Sequence, residues 1–193
     1  MRLAVFGGAF DPPHAGHAAL AEAARTALGL DRILWVPTFA APHRGPAASA
    51  FADRLAMVRA LTAATAANVA DDIESHLPAP SYTLQTLEAL RERHGTAHDW
   101  HLLIGSDNWS GFADWHRPDA VRALARIVVY PRAGHPVGAV PDGVTVLKVP
   151  GLPERSTDFR AWLRRDRETA LGALPEPVAD CIRARGLYRE ADA

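Results

Sequence analysis

The sequence predicts a single α/β domain of Rossmann-like type, a mostly parallel sheet with helices on both faces. Three observations carry this. Several apolar runs have strand length and no polar alternation, as strands covered on both faces do. Segments of helical period separate them, which is the order of right-handed β-α-β crossovers. The 193 residues, 48% of them apolar, suit one well-filled core. No repeat or low-complexity linker divides residues 1–193, and a small helical part is expected from about residue 156.

The elements follow in order. Arg2–Phe6 is a buried strand stopped by Gly7-Gly8. Gly16–Leu28 is helical, with Leu20, Ala24 and Leu28 on one face and Gly29 as its stop. Arg32–Val36 is a second strand closed by Pro37. A loop from Thr38 to Ser49 leads to a helix at about 51–64 and a strand near Val69–Ile73. Tyr82–His94 presents Leu84, Leu87 and Leu90 on one helical face, with Gly95 behind. Trp100–Ile104 and Ile127–Tyr130 are further strands, and Val144–Val149 is a sixth. Helices near Thr157–Arg165 and Pro177–Arg185 finish the chain.

Composition narrows the function. No apolar run reaches the roughly 18–20 residues that cross a bilayer, and glycine comes too early after Met1 for a secretory leader, so a cytoplasmic protein without a membrane partner is expected. The one cysteine, Cys181, supplies neither an internal bridge nor a multi-cysteine metal site and reads as a small core residue. A net charge of −1 provides no general field for nucleic acid, so an anionic ligand must be met by local arginines. Of the 21 basic residues only Lys148 is lysine, so arginine is expected where a relative carries lysine.

The chemistry centres on Gly7-Gly8-Ala9-Phe10-Asp11-Pro12-Pro13-His14-Ala15-Gly16-His17. Glycines directly after a first strand let backbone amides approach a phosphate where a Cβ would block them. His14 and His17 bracket the predicted helix start, where amides and the helix dipole already favour negative charge. There the imidazoles can donate to phosphate oxygens and strengthen as charge builds. Taken alone, His-x-Gly-His also fits a metal-ligand pair or a helix cap; the strand, double glycine and Asp-Pro around it favour phosphate.

This segment resembles the nucleotidyltransferases with a His-x-Gly-His signature, and its full run is similar to the bacterial nicotinate-nucleotide adenylyltransferases, with Ala9 in place of their hydroxyl residue. The likeness covers most of the chain. Pro42-His43-Arg44 is similar to that family's Pro-His-Lys, Ser81-Tyr82-Thr83 to its Ser-Tyr-Thr helix start, Gly105-Ser106-Asp107 with Trp115 to its Gly-x-Asp and tryptophan, and Arg132-Ala133-Gly134 to its Arg-x-Gly. Leu174–Val178 and Gly186-Leu187-Tyr188 are similar to its C-terminal end. The departure is Glu154-Arg155-Ser156-Thr157, where an apolar residue and a first serine are replaced while Thr157 and Arg160 match.

The resemblance implies adenylyl transfer from ATP to nicotinate mononucleotide, giving deamido-NAD and pyrophosphate. It places His14, His17 and Arg160 at the reaction. For ATP it implies Gly7, Gly8, Phe10 and Gly16 beside the histidines, Gly105 and Asp107, and Ser156, Thr157 and Arg160 on the outer phosphates. For the mononucleotide it implies Asp11, His43, Arg44, Tyr82, Thr83, Asp107, Trp115 and Arg132, the tryptophan against the pyridine ring. Without the resemblance, Ser156 reads as a helix N-cap, Arg160 as an exposed charge and Trp115 equally as a core residue. Mg2+ is expected on the ATP phosphates, with no protein metal site. The residues leave open the same chemistry on nicotinamide mononucleotide, and a histidine-ligated hydrolase or an inactive nucleotide-binding module as rivals. A homo-oligomer is compatible with the sequence and not required by it.

Overall fold

The computed structural model describes residues 1–42, 45–149 and 155–189. These residues build a six-stranded sheet of order β3-β2-β1-β4-β5-β6, with every adjacent pair parallel. The strands are β1 (Arg2–Gly8), β2 (Arg32–Pro37), β3 (Asn68–Ala70), β4 (Asp99–Gly105), β5 (Arg126–Tyr130) and β6 (Thr145–Val146). The helices are α1 (Ala15–Leu28), α2 (Phe51–Thr62), α3 (Thr83–His94), α4 (Ser106–Trp109), α5 (Pro118–Leu124), α6 (Ser156–Arg165), α7 (Arg167–Gly172) and α8 (Glu176–Arg185).

Side chains of β1 alternate between two cores. Leu3 and Val5 enter the cluster under α3 and α5 with Leu84, Leu87, Leu90 and Val121. Ala4 and Phe6 enter the opposite cluster with Leu20, Ala21 and Ala24 of α1 and Val58 of α2. Both faces are therefore dry, which is why the strands read as continuous apolar runs. A third cluster gathers Met57 of α2 with Phe159, Leu163, Leu171, Val178 and Ile182, so that α6–α8 pack against α2.

Three expectations need correction. The strand foreseen at Val69–Ile73 ends at Ala70, and Ile73–His76 is a 3₁₀ turn whose Ile73 amide donates to the Asp71 carboxylate at 2.9 Å. Val144–Val149 shortens to Thr145–Val146 at the sheet edge, where only one neighbour supplies hydrogen bonds. Helices α4, α5 and α7 were not foreseen; segments of 4, 7 and 6 residues are too short to announce themselves by period and form through tertiary contacts.

The sheet order reverses at β1, whose neighbours are β2 on one side and β4 on the other. Loops leaving β1 and β4 at their carboxyl ends diverge to opposite faces and open a crevice there, the usual ligand position in such sheets.

Candidate active site

Gly8 is required by packing, because a Cβ there would stand 3.1 Å from the Phe10 ring. At Gly7 a Cβ would meet nothing within 4 Å, and the residue lines the cavity in the β1–β4 crevice. Phe10, at φ +49°, turns its ring inward against Phe6, Trp35 and His17, with centroids 5.3, 5.4 and 5.1 Å away. The loop then runs through Asp11 to His14, the residue before α1.

The two histidines lie together, ring centroids 3.8 Å apart. His14 is buried and stacks on Phe159 of α6 at 5.4 Å. Among the described residues neither of its ring nitrogens has a hydrogen-bond partner, a costly state for a buried polar group that a ligand would relieve. His17 Nδ1 accepts from the His14 backbone N–H at 3.2 Å, which in the neutral ring leaves the proton on Nε2. Burial, with the positive charge of Arg132 behind it, brings the His14 pKa down to about 4. Burial, then His14, then Arg132 hold His17 well below its ordinary value. Both rings are neutral donors at physiological pH.

Helix α6 reaches the same loop. Ser156 Oγ donates to the Pro12 carbonyl at 2.9 Å and Arg160 Nη1 to the Asp11 carbonyl at 2.6 Å. Ser156 is thus a strut to the loop rather than a cap, and Thr157 stands exposed in the first turn of α6. Gly16 is buried in the first turn of α1.

Beside the histidines, the β1–β4 crevice holds a cavity of about 250 Å3. Its near wall is Gly7 and Gly8; its far wall is the start of α3 with Ser81, Tyr82 and Thr83. Trp115 lines it too, tilted against Phe112 at 5.1 Å, so its ring serves the core with one side and the cavity with the other. Gly105 lies at the foot, where a Cβ would collide with the Asp107 carboxylate and sit 3.0 Å from Arg132 Cγ. Arg132 Nε is 3.9 Å from Asp107 Oδ1, and its backbone N–H donates to Ser106 Oγ at 2.9 Å. The charge of Arg132, foreseen on the mononucleotide side, also bears on both imidazoles.

Asp11 was expected next to the mononucleotide. Its carboxylate is instead taken up inside the protein: Oδ2 accepts from the Ala48 and Ser49 amides at 2.7 and 3.2 Å, and Oδ1 from the Tyr188 hydroxyl at 2.6 Å. His43 and Arg44 lie outside the described residues.

Four contributors escaped the sequence reading. Arg54 of α2 is buried and donates to three backbone carbonyls, Ala9 at 2.8 Å, Thr38 at 2.7 Å and Ser49 at 3.2 Å, joining the loops after β1 and β2. Its helix shows an apolar face at Leu55, Met57 and Val58, but nothing marks an arginine beside it as buried. Glu74 lies in the cavity floor, accepting from the Phe39 amide at 2.9 Å and the Thr86 hydroxyl at 3.1 Å; burial raises its pKa against these bonds. His116 stacks on Tyr82 at 4.6 Å across the cavity mouth, although no role was foreseen for it. Tyr188 was read as part of a C-terminal pattern without a task.

A doubly covered parallel sheet with a glycine turn, paired neutral imidazoles and a switch-point cavity defines a nucleotide-binding transferase site. The cytidylyltransferase-like family model matches residues 5–162. Relatives bearing the name "Probable nicotinate-nucleotide adenylyltransferase" include those of Gloeobacter violaceus, 37% identical over 97% of this chain and 96% of the relative, and Dechloromonas aromatica, 35% identical over 98% of each. A third, from Salinibacter ruber, is 34% identical over the full length of both. The fold is shared with Plasmodium falciparum nicotinic acid mononucleotide adenylyltransferase complexed with NaAD, with a TM-score of 0.77, 16% identity and 97% of both chains covered. The chain belongs to the nicotinate-nucleotide adenylyltransferase family of the cytidylyltransferase-like proteins. No helix among the described residues is long and apolar enough to cross a membrane.

Proposed function

We propose that this chain joins ATP and nicotinate mononucleotide into deamido-NAD and pyrophosphate, with the triphosphate against His14, His17 and Arg160 and the mononucleotide in the cavity between β1 and α3. The observation that carries the reading is one juxtaposition. A buried imidazole without partners adjoins a second that presents Nε2–H, at the start of a helix, beside an aromatic-walled cavity.

The mononucleotide phosphate, with a second pKa near 6, is mostly a dianion at neutral pH and needs no general base. Its oxygen attacks the ATP α-phosphorus, the new P–O bond forms, and the bond to the β-phosphate oxygen breaks as pyrophosphate leaves. The protein must align the two and offset the repulsion between them. Neutral imidazoles suit this. They add no buried cation to the empty site, yet their N–H bonds strengthen as charge grows on the α-phosphoryl oxygens. Arg160 and Arg132 supply the positive charge, with Ser156 and Thr157 beside the outer phosphates. Gly7, Gly8, Phe10 and Gly16 shape the backbone around the chain of phosphates, and Gly105 and Asp107 close the foot of the site.

The pyridine ring lies against Trp115, and the amides at the start of α3, around Tyr82 and Thr83, receive its carboxylate. Asp11 serves from behind by shaping the loop, and the family resemblance assigns His43 and Arg44 to the mononucleotide. Among the described residues no group of three or more His, Cys, Asp or Glu could hold a metal, and neutral imidazoles with arginines fit phosphate oxygens instead. Mg2+ would be carried by the ATP phosphates and would supply charge neutralisation there.

The test is pyrophosphate release from Mg-ATP with nicotinate and nicotinamide mononucleotides in parallel. Higher kcat/KM with the acid is expected. Equal or greater efficiency with the amide overturns the choice of acceptor, and no release with either overturns the activity.

A further inference from the structure

The loop from Ala9 to His14 has no regular structure, so its shape depends on what holds it from outside. Asp11 is the knot. Ala48 and Ser49 take one carboxylate oxygen, Arg160 takes the carbonyl, and the other carboxylate oxygen is met by Tyr188, 177 residues further along the chain. We propose that Tyr188 is a positioning residue for adenylyl transfer: its hydroxyl, brought back by the turn after α8, latches Asp11 so that His14 and His17 face the α-phosphorus. This rests on the adenylyl-transfer reading above.

The turn that carries Tyr188 is itself held. Gly186 ends α8 at φ +62°, the Leu187 amide donates to the Ile182 carbonyl at 3.1 Å, and Arg167 Nη1 donates to the Leu187 carbonyl at 2.9 Å. Tyr188 then adopts φ +58°, uncommon for a residue with a bulky side chain, and this directs the ring past Met57 toward Asp11. Packing alone would accept phenylalanine here. The hydroxyl is what reaches the carboxylate. Burial, with the Asp11 charge and hydrogen bond added to it, pushes the phenol well above its ordinary pKa, so the donor keeps its proton at any working pH. The C-terminal part thus connects to this loop through Ser156, Arg160 and Tyr188.

The test compares Tyr188→Phe with the parent protein at a temperature where both are fully folded. Expected is a fall in kcat of about tenfold or more, because small misplacement of catalytic groups is costly, with the KM for nicotinate mononucleotide within about twofold. In a cycle with Asp11→Asn, the double variant should be no slower than Asp11→Asn alone. Amide exchange gives a readout that does not need turnover: residues 9–17 should exchange faster in Tyr188→Phe, while Leu3–Phe6 are unchanged. Unchanged kcat, independent effects in the cycle, or exchange that rises uniformly would each overturn the latch. Should the parent release no pyrophosphate, the activity falls, and the exchange result alone decides whether Tyr188 holds the loop.

Discussion

In the proposed reaction the value of His14 and His17 lies in being kept neutral. Burial does this first and Arg132 second for His14, while the neighbouring His14 adds to the effect on His17. Replacing His17 by alanine removes a donor that matters most as charge develops. Turnover should fall on the order of 10²–10³-fold in the pyrophosphate assay, with far less change in the midpoint of denaturant unfolding. Trp115 makes the contrasting case. Its ring is shared between Phe112 and the cavity, so Trp115→Ala should raise the KM for the mononucleotide by about tenfold while the KM for ATP stays within about twofold, as initial rates with either substrate varied will show. At this scale the histidines, glycines and tryptophan were legible because each carries a chemical type in a spaced pattern. Arg54, Glu74 and Tyr188 were not, since a buried polar residue is recognised by its partners, and those lie between 5 and 177 positions away.

The elements that matter most at the site are loops tied by side chains. Arg54, from α2, joins the segments after β1 and β2 by donating to three loop carbonyls. Arg54→Met would keep the volume and remove the donors. The carbonyls of Ala9, Thr38 and Ser49 are only partly buried, so water can meet some of the need, and a loss of about 1–3 kcal/mol in urea unfolding is expected, together with weakened activity. A loss under about 1 kcal/mol would mean that water replaces the guanidinium without difficulty. The long helices and central strands could be foreseen, since α1, α3 and β1 have clear periods, caps and stops. The 3₁₀ turn at Ile73–His76 could not, although it is what sets Glu74 into the cavity floor. Its form depends on the Asp71 carboxylate, which is buried between Arg93 and His94 at 2.7 and 2.9 Å.

For the whole molecule, burying neutral histidines links folding to pH. His14 falls from 6.5 unfolded to about 4 folded, so well above pH 6.5 neither state is protonated and the group contributes little, and the window in which it matters runs from about pH 6.5 down to about pH 4. As pH drops through that window the unfolded chain binds a proton that the folded chain refuses, and stability declines. From pH 7 to pH 5 the loss from His14 comes to about 2 kcal/mol, and His17 works in the same direction. Glu74, whose folded pKa is raised, works in the opposite direction and gains stability on acidification. Urea unfolding of His14→Asn should show a flatter decline between pH 7 and pH 5 than the parent; equal slopes would mean that His14 titrates normally. ATP bound at the site, whose phosphates favour a proton on His14, should make the parent's decline smaller. The sequence by itself determined the architecture, because apolar runs without alternation can be satisfied only between two helical layers, and it determined the type of chemistry, because glycine turns and spaced histidines are local patterns. Tertiary structure alone decided how the site is held. The convergence of Asp11, Arg54, Arg160 and Tyr188 depends on distances between segments remote in the chain, and a linear pattern carries no measure of those distances.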